Sequence, residues 1–331
     1  MVYYRPIAMT DPHRPAAAKT LAGGWCWFTH AQRLERGQPS RLVAVAEIPE
    51  GVLNRLTSSR APIAGLDMLA PKIMGILNVT PDSFSDGGLF NAPDAALAQA
   101  RTMVADGADI LDIGGESTRP GAATVDVDEE IARIAPVIAA IRMDSDTPIS
   151  IDTRKARVAQ AAFAAGASMV NDVSAFTYDP EIARVTAGAG APCCLMHAMG
   201  EPATMQDAPT YGDVTLDVYD ALEERINTAE AAGIGRHQII VDPGIGFGKT
   251  QDHNLTLLKN LSIFHGLGCA ILLGASRKRF IGTLGNAPDA RDRTAGSVAI
   301  ALHGIGQGMQ ILRVHDTFAT RQAMSLHMAV N

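Results

Sequence analysis

The sequence predicts a (β/α)8 TIM barrel behind an N-terminal extension, and three observations predict it. Short apolar runs rich in Ile, Val and Leu recur eight times from about Lys72 onward. Between Ile73 in the first run and Ile311 in the last, seven intervals average 34 residues, the length of a strand plus a crossover helix. Helical periodicity fills the gaps, and the repeated part covers about 260 residues, close to the size usual for such barrels. A doubly wound open sheet would also alternate strands and helices, but the dinucleotide fingerprint of that fold is missing.

The extension, residues 1–65, does not share the repeat. It holds both tryptophans, Trp25 and Trp27, beside Gly23 and Gly24, then a strand at Leu42–Ala46 and a short helix around Val52–Leu56. It reads as a segment that packs on the barrel, with the Trp pair as a packing anchor; no chemistry can be extracted from it, and its role stays open. Residues 66–331 form the barrel, with strands at Ile73–Val79, Ile110–Ile113, Ile149–Ile151, Met169–Val173, Cys193–Met196, Ile239–Val241, Cys269–Leu273 and Met309–Val314. Continuous apolar runs bounded by Gly, Pro or Asp are what strands covered on both faces require. Ile131, Ile134, Ile138 and Ile141 lie on one helical stripe, as do Tyr219, Leu222, Ile226 and Ala229, and Val158, Ala161, Ala162 and Ala165.

Composition excludes several classes. The 331 residues are 47% hydrophobic and 19% charged, with a net charge of −7. Such a chain is neither disordered nor collagen-like, and without a concentrated basic face it is no nucleic-acid partner. No apolar run is long enough to span a bilayer, and no secretory signal is visible in the first twenty residues, so a cytoplasmic protein is expected. Cys26, Cys193, Cys194 and Cys269 form no C-x-x-C pair and read as small buried hydrophobes.

Polar residues recur where the apolar runs end. Asn78, Asp112, Asp152, Asn171 with Asp172, His197, and Asp242 close the first six runs; Ser276, Arg277 and Lys278 follow the seventh, and Arg313 and His315 sit in or after the last. In a parallel barrel these positions converge on the C-terminal rim, where barrel active sites lie. Each has a structural alternative: Asp152 or Thr153 as a helix cap, Asp316 as the cap of the last helix, Asn78 to Asp82 as a turn, Lys278 and Arg279 as solvated charges. One polar residue at every strand end is what a site requires and a scaffold does not.

The residue types point to a chemistry. Arg119, Arg277, Lys278, Arg313 and His315 bring cationic or hydrogen-donating groups to one rim, which suits a phosphorylated substrate. Asp112, Asn171 and Asp242 offer carboxylate and amide edges to a flat heterocycle rich in N–H donors. Asn78 is a neutral oxygen ligand compatible with a Mg²⁺ shared with phosphates. Gly244-Ile-Gly-Phe-Gly-Lys-Thr250 is not a phosphate-binding P-loop, because only three residues separate Gly244 from Gly248-Lys249-Thr250. The Gly/Ser/Pro-rich segments Asn78–Gly88 and Gly114–Ala122 suit covers that order around substrate.

Two of these segments, Ile76-Leu-Asn-Val-Thr-Pro-Asp-Ser-Phe-Ser-Asp-Gly-Gly88 and Asp112-Ile-Gly-Gly-Glu-Ser-Thr-Arg-Pro-Gly-Ala122, strongly resemble the signatures of the dihydropteroate synthase family. The similarity continues through Ser150-Ile-Asp-Thr153, Val170-Asn-Asp-Val173, Leu195-Met-His197, Asp242 to Lys249, Ser276-Arg-Lys278 and Arg313-Val-His-Asp316, over roughly residues 68 to 330. The resemblance implies a Mg²⁺-assisted transferase that joins 6-hydroxymethyl-7,8-dihydropterin diphosphate to 4-aminobenzoate and releases pyrophosphate. By analogy Asp112, Asp152, Asn171, Met196, Asp242 and Lys278 hold the pterin. Asn78 ligates the metal on the diphosphate, which Arg119, Arg313 and His315 also contact. Thr118, Pro120, Phe247 and Ser276 form the aminobenzoate side, where sulfonamides compete in this family. Asp152, Arg119, Lys278, Arg313 and His315 are the implied catalytic set, and a homodimer is the implied assembly. The sequence departs from the family at His197-Ala198-Met199-Gly200, where His-Met-Gln-Gly is common. A corrinoid-dependent methyltransferase on the same fold and a non-catalytic pterin-binding scaffold are the competing readings.

Overall fold

The computed structural model describes residues 1–80, 92–117, 124–200, 205 and 208–331. The extension is a small sheet unit rather than the single strand expected. Strands β1 (Val2–Pro6), β4 (His30–Glu35) and β5 (Arg41–Ala44) form an antiparallel sheet in the order β1-β4-β5, and β2 (Lys19–Thr20) pairs with β3 (Trp27–Phe28). Helix α1 (Glu50–Thr57) follows, at the place expected. These elements share a core of their own, built on Leu21, Cys26, Phe28, Val43 and Leu56. The tryptophans anchor as expected: Trp25 Nε1 donates to Ile305 O at 2.8 Å and Trp27 Nε1 to Asp11 O at 2.8 Å.

The connecting segment closes the floor of the barrel. Ile63 and Met68, each 1% exposed, pack with the lowest inward side chains, among them Met74, Ile110, Met169, Cys194 and Ile240. This layer is apolar, and the buried polar side chains Asp112, Asp152, Asn171 and Asp242 lie toward the opposite end.

Eight parallel strands then close on themselves: β6 (Lys72–Asn78), β7 (Ile110–Gly114), β8 (Ile149–Asp152), β9 (Met169–Asp172), β10 (Cys193–Met196), β11 (Ile239–Asp242), β12 (Ala270–Leu273) and β13 (Ile311–Val314), with β13 paired to β6. All eight lie where the apolar runs placed them, shifted at their ends by two residues at most. The helices between them are α2 (Ala92–Ala105), α3 (Val127–Arg142), α4 (Ala156–Ala165), α5 (Glu181–Gly188), α6 (Val214–Ala231) and α7 (Gln251–Lys259). A short α8 (Arg279–Leu284) precedes α9 (Thr294–Ile305), and α10 (Thr317–Val330) ends the chain. The three predicted stripes face the strands through Ile134, Ile138 and Ile141 of α3, Val158 and Ala162 of α4, and Leu222, Ile226 and Ala229 of α6, all buried. Asp126 and Asp213 cap α3 and α6, accepting from backbone N–H groups of their first turns. Among the described residues no helix is long and apolar enough to cross a membrane.

Candidate active site

Strand parity aims the site. In each barrel strand alternate residues, such as Leu111, Ile113, Ile149, Ile151, Leu195 and Val241, face the helices and join the outer core. The other set points to the barrel axis. Above this floor the inward set includes Asp112, Ser150, Asp152, Asn171, Met196, Asp242 and Arg313, with Asn78 at the end of β6. Asp172 has the opposite parity: it ties its own loop, accepting from the backbone N–H of Ser174 at 2.7 Å and of Phe176 at 2.8 Å.

Arg313 is the centre of the ring. Its Nε lies 2.5 Å from Asp112 Oδ2 and its Nη2 lies 2.6 Å from Asp152 Oδ2. Asn171 Nδ2 donates to Asp112 at 3.2 Å. The second oxygen of Asp152 is buried and has no partner among the described residues. Burial pushes the Asp152 carboxyl up to about 7, against the opposing pull of the Arg313 guanidinium. The alternative of Asp152 as a helix cap is excluded, because α4 begins four residues later, and Asp179 accepts from its first N–H at 2.8 Å.

Across the barrel Asp242 accepts from Gly244 N–H at 2.7 Å, and burial raises its carboxyl while Lys278 and Arg313 pull it back. Lys278 is not a solvated charge. Its ammonium lies 4.2 Å from the Phe247 ring centroid and donates to Ile245 O, and burial brings its pKa down to about 7. Two positions at this level are glycine. A Cβ on Gly274 would stand 3.2 Å from Asp242 Oδ2, and one on Gly114 would stand 3.5 Å from Asp152 Cβ. The missing side chains keep a slot open beside the two carboxylates. A cavity of about 430 Å³ opens beside it, lined by Met196, His197 and Phe247 with Tyr178 and Arg225.

At the last strand His315 Nδ1 lies 3.0 Å from Ser276 Oγ. Arg277 is held by Asp316 through bonds of 3.0 and 2.5 Å, so Asp316 serves this pair and makes no side-chain cap on α10. The rim cations therefore differ: Arg277 is already neutralised, whereas Lys278 touches no carboxylate among the described residues.

The loops after β10 and β11 are locked together by Lys249, which in the sequence ends the Asp242 to Lys249 segment and is the lysine of a failed P-loop. Its buried ammonium reaches His197 Nδ1 at 2.9 Å, Phe247 O at 3.0 Å and His197 O at 3.3 Å. Burial pulls its pKa well below the usual lysine value, and burial together with this neighbouring cation pulls the His197 ring down to about 3. Gly244 makes the approach possible: at φ +68 its absent Cβ would fall 1.8 Å from His197 O. Gly244→Ala is expected to cost about 2–5 kcal/mol, combining left-handed strain with overpacking, and the loss is read as a lower urea midpoint.

A second buried network holds the loop after β7. Glu116 accepts from Lys155 Nζ and Arg154 Nη2 at 2.6 Å each and from Val125 N–H at 2.8 Å. Lys155 also donates to Glu130 at 2.7 Å and to Val125 O at 2.6 Å. Both ends of the loop, at Glu116 and Val125, are thus fixed. Thr118, Arg119 and Pro120, and most of the segment after Asn78, lie outside the described residues. Glu116 stands inside a motif visible in the sequence, but Glu130 and Lys155 join it only through the fold.

Residues 74–315 match the family described as pterin binding enzyme. The dihydropteroate synthase of Synechocystis sp. is 50% identical over 250 residues, which cover 76% of this chain and 86% of that protein. The chain belongs to the dihydropteroate synthase family. Among solved members of this family, the Xanthomonas albilineans enzyme with 4-aminobenzoic acid superposes with a TM-score of 0.77 at 46% identity, over 82% of this chain and 97% of that one. The same enzyme in complex with 7,8-dihydropteroate gives a TM-score of 0.74 at 43% identity, over 80% and 95%. The family match begins at Met74, so the extension lies outside it.

Proposed function

We propose that this chain condenses 6-hydroxymethyl-7,8-dihydropterin diphosphate with 4-aminobenzoate, giving 7,8-dihydropteroate and pyrophosphate. The observation that carries the reading is the inward ring of Asp112, Asn171, Asp152 and Asp242 around a glycine-lined slot, in a chain of this family. Asp112, Asn171 and Asp242 present acceptor edges to the amino and ring N–H groups of the pterin, and Met196 and Lys278 pack beside it. Phe247 and Ser276, with Thr118 and Pro120, form the aminobenzoate side, where sulfonamides would compete.

The reaction breaks the CH2–O bond to the diphosphate, and the electron pair leaves with the oxygen. Arg313, His315 and Arg119 supply positive or hydrogen-donating groups for that growing charge. The exocyclic carbon becomes cationic and the pterin ring delocalises it, while the Asp152 carboxylate stabilises it electrostatically. The arylamine nitrogen is unprotonated at neutral pH, so it attacks without a strong base and loses its proton to solvent afterwards. This order lets pyrophosphate depart before the new C–N bond forms.

A Mg²⁺ ion would fit here with Asn78 and the diphosphate as its ligands. Among the described residues no three His, Cys, Asp or Glu side chains converge on a metal cage, and Asn78 offers one neutral oxygen at the rim. That donor suits an ion held mainly by phosphate and water, which would neutralise charge on the leaving group. We place the enzyme in the cytoplasm as a homodimer; its four cysteines are buried free thiols, which a reducing compartment preserves.

Purified chain with Mg²⁺ and both substrates is expected to release pyrophosphate and dihydropteroate in equal amounts, and failure to form dihydropteroate overturns the proposal. Asp152→Asn is expected to lower kcat/KM by about 10²–10³ with pterin diphosphate binding retained, the range for losing one electrostatic stabiliser. Unchanged kcat/KM would remove Asp152 from the catalytic set.

A further inference from the structure

Below the charged ring one polar group has no work in the fold. Ser150 lies in β8 between Ile149 and Ile151, which face the helices, so its side chain points to the barrel axis. It stands directly opposite Asp112 in the β7–β8 ladder and opposite Met169 in the β8–β9 ladder. The residue is fully buried, and its hydroxyl oxygen has no hydrogen-bond partner among the described residues. Asp112 does not serve it, because the bonds that this carboxylate accepts come from Arg313 and Asn171. Comparable inward positions at the floor, including Met74, Ile110, Met169, Cys194 and Ile240, are apolar. A lone buried hydroxyl costs desolvation energy with nothing in return until a ligand reaches it.

We propose that Ser150 is a further binding and specificity residue of this site: its hydroxyl hydrogen-bonds the innermost polar edge of the bound heterocycle. The slot above it is the one assigned to the pterin, so the inference rests on the functional reading. Its chemistry selects a ring whose deep edge carries nitrogen or oxygen, since a carbocyclic edge would leave the hydroxyl as isolated as it is now.

Titration calorimetry with 6-hydroxymethyl-7,8-dihydropterin diphosphate tests this on the full chain. Ser150→Ala is expected to weaken pterin binding about five- to tenfold, the effect of one neutral hydrogen bond. Its melting temperature is expected to hold or rise, because an orphan polar group has been removed, and the KM for 4-aminobenzoate is expected to stay within twofold. Ser150→Cys keeps the shape with a weaker donor, so its affinity is expected between those of wild type and Ser150→Ala. A Ser150→Ala chain that binds within twofold of wild type overturns the inference and leaves the functional proposal standing. A wild-type chain that binds no pterin diphosphate overturns both.

Discussion

Replacing Arg313 by methionine is expected to lower kcat/KM by about three orders of magnitude and to move the acid limb of the pH profile upward. The guanidinium bridges Asp112 and Asp152 at 2.5 and 2.6 Å, and 21% of its side chain is exposed. Under the proposed mechanism its loss removes a donor to the leaving diphosphate, an effect worth about 10²–10³ alone. It also leaves two buried carboxylates uncompensated. Burial already lifts Asp152 to about 7, and Arg313 works in the opposite direction. Without Arg313 the Asp152 pKa rises further, so the carboxylate form is populated only at higher pH. The wild-type profile is expected to fall toward acid as Asp152, raised by burial to about 7, protonates, and toward alkali as Lys278, lowered by burial to about 7, loses its proton. Arg313→Lys is expected to rescue little, because a single ammonium cannot span both carboxylates. An acid limb that stays in place in Arg313→Met would show that Arg313 does not tune Asp152.

Lys155→Met is expected to be the most damaging change to stability, by about 3–5 kcal/mol at neutral pH. The ammonium is the shared partner of Glu116 and Glu130, and all three side chains are at most 6% exposed. Burial alone would raise Glu116, but Lys155, Arg154 and the Val125 N–H outweigh it and hold the carboxyl below its usual value. A depressed carboxyl stabilises the fold above its unfolded pKa and loses that contribution as pH falls through the folded value. In the variant Glu116 loses a main compensating charge and its pKa rises, so protonation relieves the penalty. Urea unfolding of wild type and Lys155→Met should therefore differ most at pH 7 and converge toward pH 5. A constant difference across that range would mean that lost packing, and not stranded charge, is responsible.

The barrel was legible because its strands are covered on both faces, so each reads as an unbroken apolar run, and because polar residues interrupt those runs at one end only. Asp112, Asp152, Asn171, Met196, Asp242 and Arg313 could be picked out one by one, and parity then brings them to one axis. The small N-terminal sheet was less visible: strands such as Val2–Pro6 and His30–Glu35 are mostly half-buried and carry Arg, Gln and Glu among their apolar residues. The Glu116–Lys155–Glu130 network was invisible for another reason. Its members stand 14 to 39 positions apart, and nothing local marks a lysine whose partners come from two other elements. Asp316 and Asp152 resembled helix caps by position, but each found a guanidinium across the fold instead. Asp316 made no side-chain cap, and Asp152 lay too far before α4 to serve as one.

The extension is tied to the barrel by contacts of long sequence separation, so its docking waits on residues far along the chain. Its bonds run to partners far along the chain: Arg36 to Asp217 and Asp220, Tyr3 to Asp220, Ser262 to Pro6 O, and Trp25 to Ile305. At ribosomal speeds of about 5–20 residues per second, these separations of 181 to 280 residues correspond to a wait on the order of 10–50 s. Through that interval the little core around Phe28 and Leu56 has only itself for cover. A unit of this size is marginal alone, so the newborn chain carries an adhesive surface until α6 and the turns at 261–267 emerge to receive it.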